Sequence, residues 1–517
     1  MGLLDGPVLL WLLASAGATT QQQHLGCLKC CETPLPDGTC CCIPPGSGCS
    51  PELPPSCPAP HKVGVTTPSV VACHDPADCT ADVQRALDDS TLAEVTLPAT
   101  GSPWPVTPLF LRRSNVVLNI EAGATLEAKK GSFLGTNDCL FTILGAANVS
   151  IRAAGATLRM RRPYLPPLYQ PAEWRHVLSI RAASDVTVEG ATLSDSGGDG
   201  VMIAGGHGAN FSTRVTLRNL TVQRAWRNGL SVISVKGLLV EDCTFEDTHG
   251  TNPQFGIDLE PDPTPFGYLV GLVFRRVRLR NNLNGGFTAG LYGLVGEPGG
   301  AEGVSLLIEG MQISGSSGNR TECHHPNGTA RVCSHRGVGM QLANFPVGAA
   351  SRTGINHTQP SDLPHGSFVL RDVNIWNCSA SGVDIEDWVR HRIHLTLDNL
   401  TIGRGVATLP QYSPDRPDAG PPVPIALGPY DTNASHLVGG VTFGPRPANI
   451  DMRDFATAGA ARPWLSILYT QSGETHHHGM ADVGGVADVL THDRSMCAVA
   501  AGDAATNVSV KVNCKVV

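Results

Sequence analysis

The sequence has little charge and few aromatic side chains, with 16% charged and 5% aromatic residues among 517. It has no run of Lys and Arg, and its net charge of -8 gives it no basic surface for DNA or RNA. No stretch after the first residues reaches the ~18 apolar residues of a membrane span. Low charge together with 58 glycines disfavours a helix-rich enzyme, a coiled coil and a disordered acidic chain. We therefore expect neither nucleic acid nor a membrane as a partner.

The first residues of the chain have the pattern of a secretion signal. A short apolar stretch around Val8 to Leu13 is followed by small residues that end at Ala18, although Asp5 precedes it and no Lys or Arg does. Seventeen cysteines also fit an oxidising compartment. The sequence predicts a signal peptide over residues 1–18 and a secreted, extracellular protein.

Eight of the cysteines fall within residues 25–60, among many Pro and Gly residues and few apolar ones. We interpret this segment as a small disulfide-stapled module or spacer, with a thiolate metal site as the alternative. The other predicted pairs are Cys73 with Cys79, Cys323 with Cys333, and Cys497 with Cys514, while Cys139, Cys243 and Cys378 are predicted to be unpaired core residues.

Ten N-x-Ser/Thr sequons favour glycosylation of a secreted protein. Asn219 and Asn399 lie in nearly the same string, LRNLTV and LDNLTI. Their alternative interpretation is as bend residues between strands. This similarity also indicates an internal repeat.

The repeat consists of three short strands, each with alternating apolar residues. Its third strand appears in DGVMIAGG, NGLSVISV, FGIDLEPD, GGFTAGLY, VGMQLANF and SGVDIEDW. The first four begin at Asp199, Asn228, Phe255 and Gly285, so successive coils have 29, 27 and 30 residues. Strands this short and regularly spaced, with every turn bending the same way, predict an all-β parallel solenoid.

Two interior columns should stack along the third strand, because every member is apolar. They are predicted as Val201, Leu230, Ile257, Phe287, Met340 and Val383, and as Ile203, Val232, Leu259, Ala289, Leu342 and Ile385. Upstream, CTADVQRALDDS has helical spacing, with Val83 and Leu87 on one face and Thr80 as a candidate N-cap. This helix would cap the open end of the solenoid.

The capping helix, the string NVVLNIEAGATL and the coils GGDGV and NGLSV resemble the right-handed parallel β-helix, or pectate-lyase-like, superfamily. The resemblance covers roughly residues 70 to 515. It implies three-strand coils of roughly 22–30 residues. It also implies a choice among polysaccharide lyases, glycoside hydrolases, epimerases, esterases and adhesins. The predicted organisation is a signal peptide (1–18), a Cys-rich module (25–60) and a β-helix (70–515).

Two third strands present acidic pairs on their outward side, Asp258 with Glu260 and Asp384 with Glu386. Residues two apart on a strand are separated by about 6.6 Å, and three rungs separate the pairs by about 14 Å. Asp258 and Glu260 are therefore a site of their own. Their spacing is near the ~6.5–9.5 Å expected for the carboxyls of an inverting glycosidase.

Several further residues fall on coils beside Asp258 and Glu260. Asp199, in SGGDGV, is predicted to assist them, with adjacent glycines allowing a substrate to approach. The predicted substrate-binding residues are Trp226, Arg227, His249, His176 and Arg181, with Asp384 and Glu386 as a second site or a remote sugar subsite. His324, His325 and His335 are assigned to a disulfide-tied loop over the groove, and THHHG at 475–479 to a surface loop.

The favoured function is hydrolysis of glycosidic bonds in a polysaccharide by a monomer, with Asp258 and Glu260 as acid and base and Asp199 assisting. One rival is a lyase or C5-epimerase acting on a uronic-acid polymer. In it Asp258, Glu260 and Asp199 hold calcium, and Arg227, Arg181 or His249 takes the proton. Another rival is a glycan-binding wall or matrix protein with no catalytic activity. The sequence assigns no definite cofactor, and calcium is the candidate that the lyase or epimerase rival would use.

Overall fold

The computed structural model describes residues 69–517 except 171, 207–210, 263–266, 295–300, 319, 325–329, 335–336, 344–363, 387–391, 404–424, 429–440, 453–464, 468–482, 492–493 and 502–507. The predicted signal peptide, the Cys-rich module and the 475–479 histidines lie outside this part. The domain boundaries stay predictions.

Three parallel sheets run along the described chain, and most coils contribute one strand to each sheet. We number them sheets 1, 2 and 3 in the order in which the chain passes through them within one coil. Sheet 1 consists of Ser69–Val70, Glu94–Leu97, Val116–Ile120, Ala147–Arg152, Ser184–Glu189, Ser212–Arg218, Val235–Glu241, Leu269–Arg275, Val304–Glu309, His365–Arg371, Arg392–Asp398, Val441–Asp451, Val483–Thr491 and Val508–Val516.

Sheet 2 has shorter strands. It follows sheet 1 after four or six residues in the first three coils and after two residues from the strand Ser184–Glu189 onward. Its members are Trp104–Val106, Thr125–Ala128, Thr157–Arg159, Thr192–Ser194, Thr221–Gln223, Thr244–Glu246, Arg278–Arg280, Gln312–Ser314, Asn374–Trp376 and Thr401–Ile402. Val441–Asp451 pairs with strands of both sheets, so the bend between them is lost in the last coils.

Sheet 3 contains the repeat's third strands. Its members are Leu109–Leu111, Phe141–Leu144, Leu178–Arg181, Val201–Ala204, Leu230–Val232, Phe255–Leu259, Gly285–Gly290, Val338–Ala343, Val383–Glu386, Ile425–Gly428, Leu465–Ile467 and Val499–Ala501. An antiparallel pair, Arg320–His324 with Ala330–Ser334, is inserted within one coil, between Gln312–Ser314 and Val338–Ala343. Short 3-10 helices cover Leu291–Leu294 and Arg494–Cys497.

The register of sheet 3 confirms the predicted columns. Ile257 pairs with Leu230 on one side and with Phe287 on the other, and Leu259 pairs with Val232 and Ala289. All of these side chains are fully buried in one continuous core. Burying each one stabilises the fold by about 1.5–3 kcal/mol. The architecture is the parallel β-helix that the repeat predicts.

The predicted cap is a helix over Thr80–Asp88, whose buried residues are Val83 and Leu87 as expected. Its N-cap is Cys79 and not Thr80, and no side chain caps it. The Thr80 hydroxyl is used elsewhere, because it accepts a hydrogen bond from the Thr107 amide at 2.8 Å. The helix therefore closes the end of the core through its apolar face.

The bends between sheets 1 and 2 hold residues in the left-handed backbone region. Asn219 and Asn399 have φ of 53° and 57°, so the interpretation of these residues as bends is confirmed. The Asn399 amide donates to Asp372 at 2.7 Å and its oxygen accepts from Asn449 at 3.1 Å. Asparagine is favoured here because its short polar side chain tolerates this conformation.

Two of the predicted cysteine pairs are confirmed as disulfides, Cys73–Cys79 and Cys497–Cys514. Cys139, Cys243 and Cys378 are free and buried, as expected. The side chains of Cys323, Cys333 and the nearby histidines lie outside the described part. Among the helices that are described, none has the length and apolar character needed to cross a membrane.

Candidate active site

The outward side of sheet 3 carries the predicted polar column. Asp258 lies between Ser231 and Thr288 on adjacent rungs, and Gln341 leads on to Asp384. The sequence placed these side chains in solvent, and this was wrong. Asp258 is only 4% exposed and Asp384 7%, because neighbouring turns cover the sheet. We call this row of outward side chains the groove floor.

Glu260 follows the strand Phe255–Leu259, so the two predicted carboxylates do not share one strand. Its backbone amide still continues the ladder by donating to the Val232 carbonyl at 3.0 Å. The Glu260 side chain is 30% exposed. One member of the acidic pair is thus buried and the other lies at the edge of the groove floor.

Arg227 is at the centre of the site and binds the protein's own carboxylates. Its Nη2 lies 2.6 Å from Glu260, its Nη1 lies 3.4 Å from Asp199, and its Nε lies 3.1 Å from Glu173. Its Nη1 also donates to the Ser231 hydroxyl at 3.3 Å. The sequence predicts Arg227 as a substrate-binding residue, and this role stays a prediction. In the structure its guanidinium lies among carboxylates of the protein itself.

Asp199 is held in place by two backbone hydrogen bonds. The Asn228 amide donates to its Oδ1 at 3.0 Å, and its own amide donates to Nδ1 of His176 at 3.0 Å. His176 therefore accepts through Nδ1 and carries its proton on Nε2. Burial and the nearby charges of Arg181 and Arg227 lower the pKa of His176 to about 3. It is a neutral group that orients the turn.

Asn228 connects the two buried carboxyls. Its side-chain amide donates to Asp258 Oδ2 at 3.0 Å, and its oxygen accepts from the Phe255 amide at 2.9 Å. Asn228-Gly229 resembles an ordinary turn in the sequence, so sequence reasoning missed this role. The only available signal was its place one rung before Asp258.

Burial sets the protonation of the carboxyls. Burial, then the charge of Glu260, raises the pKa of Asp258 well above its usual range, against the opposing effect of Arg227. Burial also raises the pKa of Asp199 and of Glu173, which Arg227 opposes in both cases. Because Arg227 lies among these carboxyls, its own pKa is raised despite its burial. Asp258 is thus the best proton donor in the site.

No family model matches the chain. The SPbeta prophage-derived uncharacterized protein YorA of Bacillus subtilis (strain 168) is 29% identical over 197 residues, which are 35% of this chain and 33% of YorA. The uncharacterized protein YclG of the same strain is 31% identical over 96 residues, 17% of this chain and 16% of YclG. The chain thus matches no more than about a third of these relatives' length.

Among solved structures, the catalytic unit of a GH87 alpha-1,3-glucanase from Streptomyces thermodiastaticus is similar to this chain, with a TM-score of 0.49 and 11% sequence identity. The match covers 87% of this chain and 68% of the glucanase chain. The adhesin PfbA of Streptococcus pneumoniae has a TM-score of 0.48 at 11% identity, covering 86% and 91%. The chain has the right-handed parallel β-helix fold. These similarities concern the fold and assign no activity.

The glycines beside Asp199 are required by the packing of this β-helix. A Cβ on Gly198 would lie 2.2 Å from the Glu173 carbonyl oxygen, and one on Gly200 would lie 2.7 Å from the Gly229 carbonyl oxygen. Their role in the approach of a substrate stays a prediction.

The remaining predicted residues are distributed around the groove. Trp226 is half-buried with Gly250 against its ring, and His249 is exposed on the same turn. Arg181 donates from Nε to the Ser179 hydroxyl at 3.1 Å. The Glu386 side chain lies outside the described part. Trp174, next to Glu173, is 49% exposed and is the better aromatic surface for a sugar ring.

The site does not fit the predicted calcium ion. Calcium binds groups of oxygen ligands, but the guanidinium of Arg227 already lies between Asp199, Glu173 and Glu260. Across the described residues no group of three or more His, Cys, Asp and Glu side chains is arranged to hold a metal ion. The Arg227 guanidinium occupies the position between the carboxylates where the lyase hypothesis requires a metal ion.

Proposed function

We propose that the protein is a secreted glycoside hydrolase that cleaves a polysaccharide by general acid and base catalysis. One observation carries this proposal. Asp258 is buried with a raised pKa, while Glu260, two residues on, is paired with Arg227 at 2.6 Å. Two carboxyls in unlike environments can hold opposite protonation states at one pH. Hydrolysis of a glycosidic bond requires this combination.

In this mechanism Asp258 donates its proton to the glycosidic oxygen, and the Glu260 carboxylate takes a proton from the attacking water. The spacing of two residues, about 6.6 Å along an extended chain, favours inversion over retention. Arg227 fixes Glu260 against Asp199, so the base is held in position before the substrate arrives. Asn228 orients Asp258 through Oδ2.

The lyase and epimerase rival needs a proton acceptor, and Arg227, one of the three groups assigned to that role, is poorly suited. The surrounding carboxyls raise the pKa of Arg227 well above its usual range. Arg227 therefore remains protonated. Lyase action stays an outcome of the test below, because it leaves an unsaturated product that absorbs in the ultraviolet. A glycan-binding protein would release no product at all.

Secretion is part of the proposal. The disulfides Cys73–Cys79 and Cys497–Cys514 need an oxidising compartment, as does the Cys-rich segment 25–60. A polysaccharide substrate outside the cell is consistent with this location. Glycosylation and a monomeric state belong to the same proposal.

The test uses the full chain with neutral and acidic polysaccharides, measuring new reducing ends and ultraviolet absorbance with and without a calcium chelator. We expect reducing ends, no absorbance change and no effect of the chelator. Asp258→Asn and Glu260→Gln should each lower turnover by about 10²–10⁴-fold, the usual loss for a general acid or base. Wild-type turnover in both variants would exclude this site. Wild-type protein that binds a glycan and releases nothing would exclude hydrolysis.

A further inference from the structure

We infer that the substrate is a neutral polysaccharide, whose sugars present hydroxyl groups and carry neither carboxylate nor sulfate. The inference rests on the proposed hydrolase function and names the substrate class of the same groove. It follows from the charge around the site, from the bonds that its two cations already make, and from the buried polar atoms that remain without a partner.

The described side chains around the site are mostly acidic. Five carboxyl groups contribute to it, and they belong to Glu173, Asp199, Asp258, Glu260 and Asp262. Only two guanidinium groups, of Arg227 and Arg181, face them. With Asp258 protonated as the acid, the carboxylates still outnumber the cations. Groups of like charge repel an anionic polymer, and the more so where burial limits screening.

Arg227 is not left to bind a substrate anion. Its Nη1 and Nη2 donate to Asp199, Ser231 and Glu260, and its Nε lies 3.1 Å from Glu173. Arg181 donates from Nε to the Ser179 hydroxyl at 3.1 Å. Burial and the charge of Glu260 raise the pKa of Asp262 at the rim, against the charges of Arg227 and Arg181. A carboxylate clamp needs an arginine whose paired donors face the ligand, and Arg227 has no such pair left.

Two buried polar atoms match a hydroxyl-bearing ligand instead. The Thr288 hydroxyl is on the rung after Asp258, 3% exposed, and finds no hydrogen-bond partner among the described residues. Nε2 of His176 is also buried and finds no hydrogen-bond partner among the described residues. The other ring nitrogen of His176, Nδ1, accepts a hydrogen bond from the Asp199 amide. A buried polar group without a hydrogen-bond partner destabilises the fold, and a sugar hydroxyl can both donate and accept.

The experiment separates binding from cleavage. Full-length Asp258→Asn protein is titrated calorimetrically with neutral oligosaccharides (gluco-, xylo- and manno-oligomers of several linkages) and with oligogalacturonate, oligoguluronate and sulfated galactan oligomers. Each titration is run at about 20 mM and about 200 mM salt, across which screening changes strongly. Wild-type protein is assayed for reducing ends on the same compounds.

We expect a neutral oligomer to bind with an affinity that changes less than about twofold with salt. Acidic oligomers should bind at least about tenfold more weakly at low salt and improve as salt rises. The matched variant is Asp262→Asn, which removes a rim carboxyl. It should raise the affinity for acidic oligomers by about two- to fivefold at low salt and leave neutral ones unchanged.

The outcomes distinguish this inference from the function beneath it. Acidic oligomers that bind and yield reducing ends would overturn the neutral class and keep the hydrolase. Neutral oligomers that bind without being cleaved by the wild type would keep the neutral class and overturn the hydrolase. Ultraviolet-absorbing products from uronates, or no binding and no cleavage by any compound, would overturn both.

Discussion

The interior of the β-helix and the groove floor are built from the same strands, and both are buried. In Phe255–Leu259, the Ile257 side chain points inward to Leu230 and Phe287, while Asp258 points outward between Ser231 and Thr288. Burial stabilises the first and destabilises the ionised form of the second. Burial of carboxyls on the groove floor therefore does not stabilise the fold. Carboxyls kept there against a desolvation cost indicate a functional site.

The largest effect on stability is expected when a carboxyl, like those on the groove floor, is placed at an interior position of the β-helix. Ile257→Asp would bury an unpaired carboxyl between Leu230 and Phe287, at a cost of several kcal/mol out of a typical ~5–15 kcal/mol. We expect no folded protein in the secreted fraction, as measured by yield and circular dichroism. Ile257→Val is the control and should cost only about 0.5–1.5 kcal/mol. Normal melting of the Asp variant would mean that the two sides of the strand are exchanged.

The next effect comes from removing the cation of the floor. Arg227→Gln leaves Glu173, Asp199 and Glu260 without their shared partner, and breaking a buried ion pair costs about 3–5 kcal/mol. Denaturant unfolding at neutral pH should show this loss, and it should shrink in acid as the carboxyls take up protons. Arg214→Gln breaks the exposed pair with Asp185 and should cost at most about 1 kcal/mol. Equal losses in the two variants would contradict the central role of Arg227.

A smaller effect concerns the pH dependence of stability. The folded pKa of Asp258 lies above its unfolded value, so the folded state holds an extra proton between the two values and stability falls as pH rises through that window. Asp258→Asn removes this loss. At neutral pH the variant should be more stable than the wild type, because Asn carries no charge to be kept out of the buried site.

The control for this prediction is Asp185→Asn. Its hydrogen bonds with Arg214 lower the pKa of Asp185, so its contribution is present at neutral pH and is lost in acid. Thermal melts from about pH 2 to about pH 8, which extend below and above the ordinary Asp pKa of about 3.9, should show opposite trends for the two variants. Parallel curves would argue that Asp258 is ionised in the folded protein.

The smallest effect is expected at the far end of the floor. Asp384 is three rungs from Asp258, about 14 Å away, and cannot take part in the same proton transfer. Asp384→Asn should change kcat by less than about twofold and act, if at all, through KM. If this variant alone were inactive, the catalytic groups would lie at that end of the groove.

The sequence alone determined the coil, because side chains alternate along a strand and each interior position must be apolar. The period, the columns through Ile257 and Leu259, the bends at Asn219 and Asn399 and two disulfides could all be predicted from it. It also selected Asp258, Glu260 and Asp199. Each of these predictions depends on residues close in the chain or on a strict repeat.

The surroundings of those carboxyls depend on the tertiary structure. Glu173, Asp199, Arg227 and Glu260 come from four different coils, and their contacts depend on turn conformations that no repeat specifies. The structure places Arg227 among three carboxylates, and it makes Asn228, a turn residue in the sequence, a partner of Asp258. The reason is physical. Burial and charge at a site are sums over everything packed around it, whereas the alternation of a strand is a property of the strand alone.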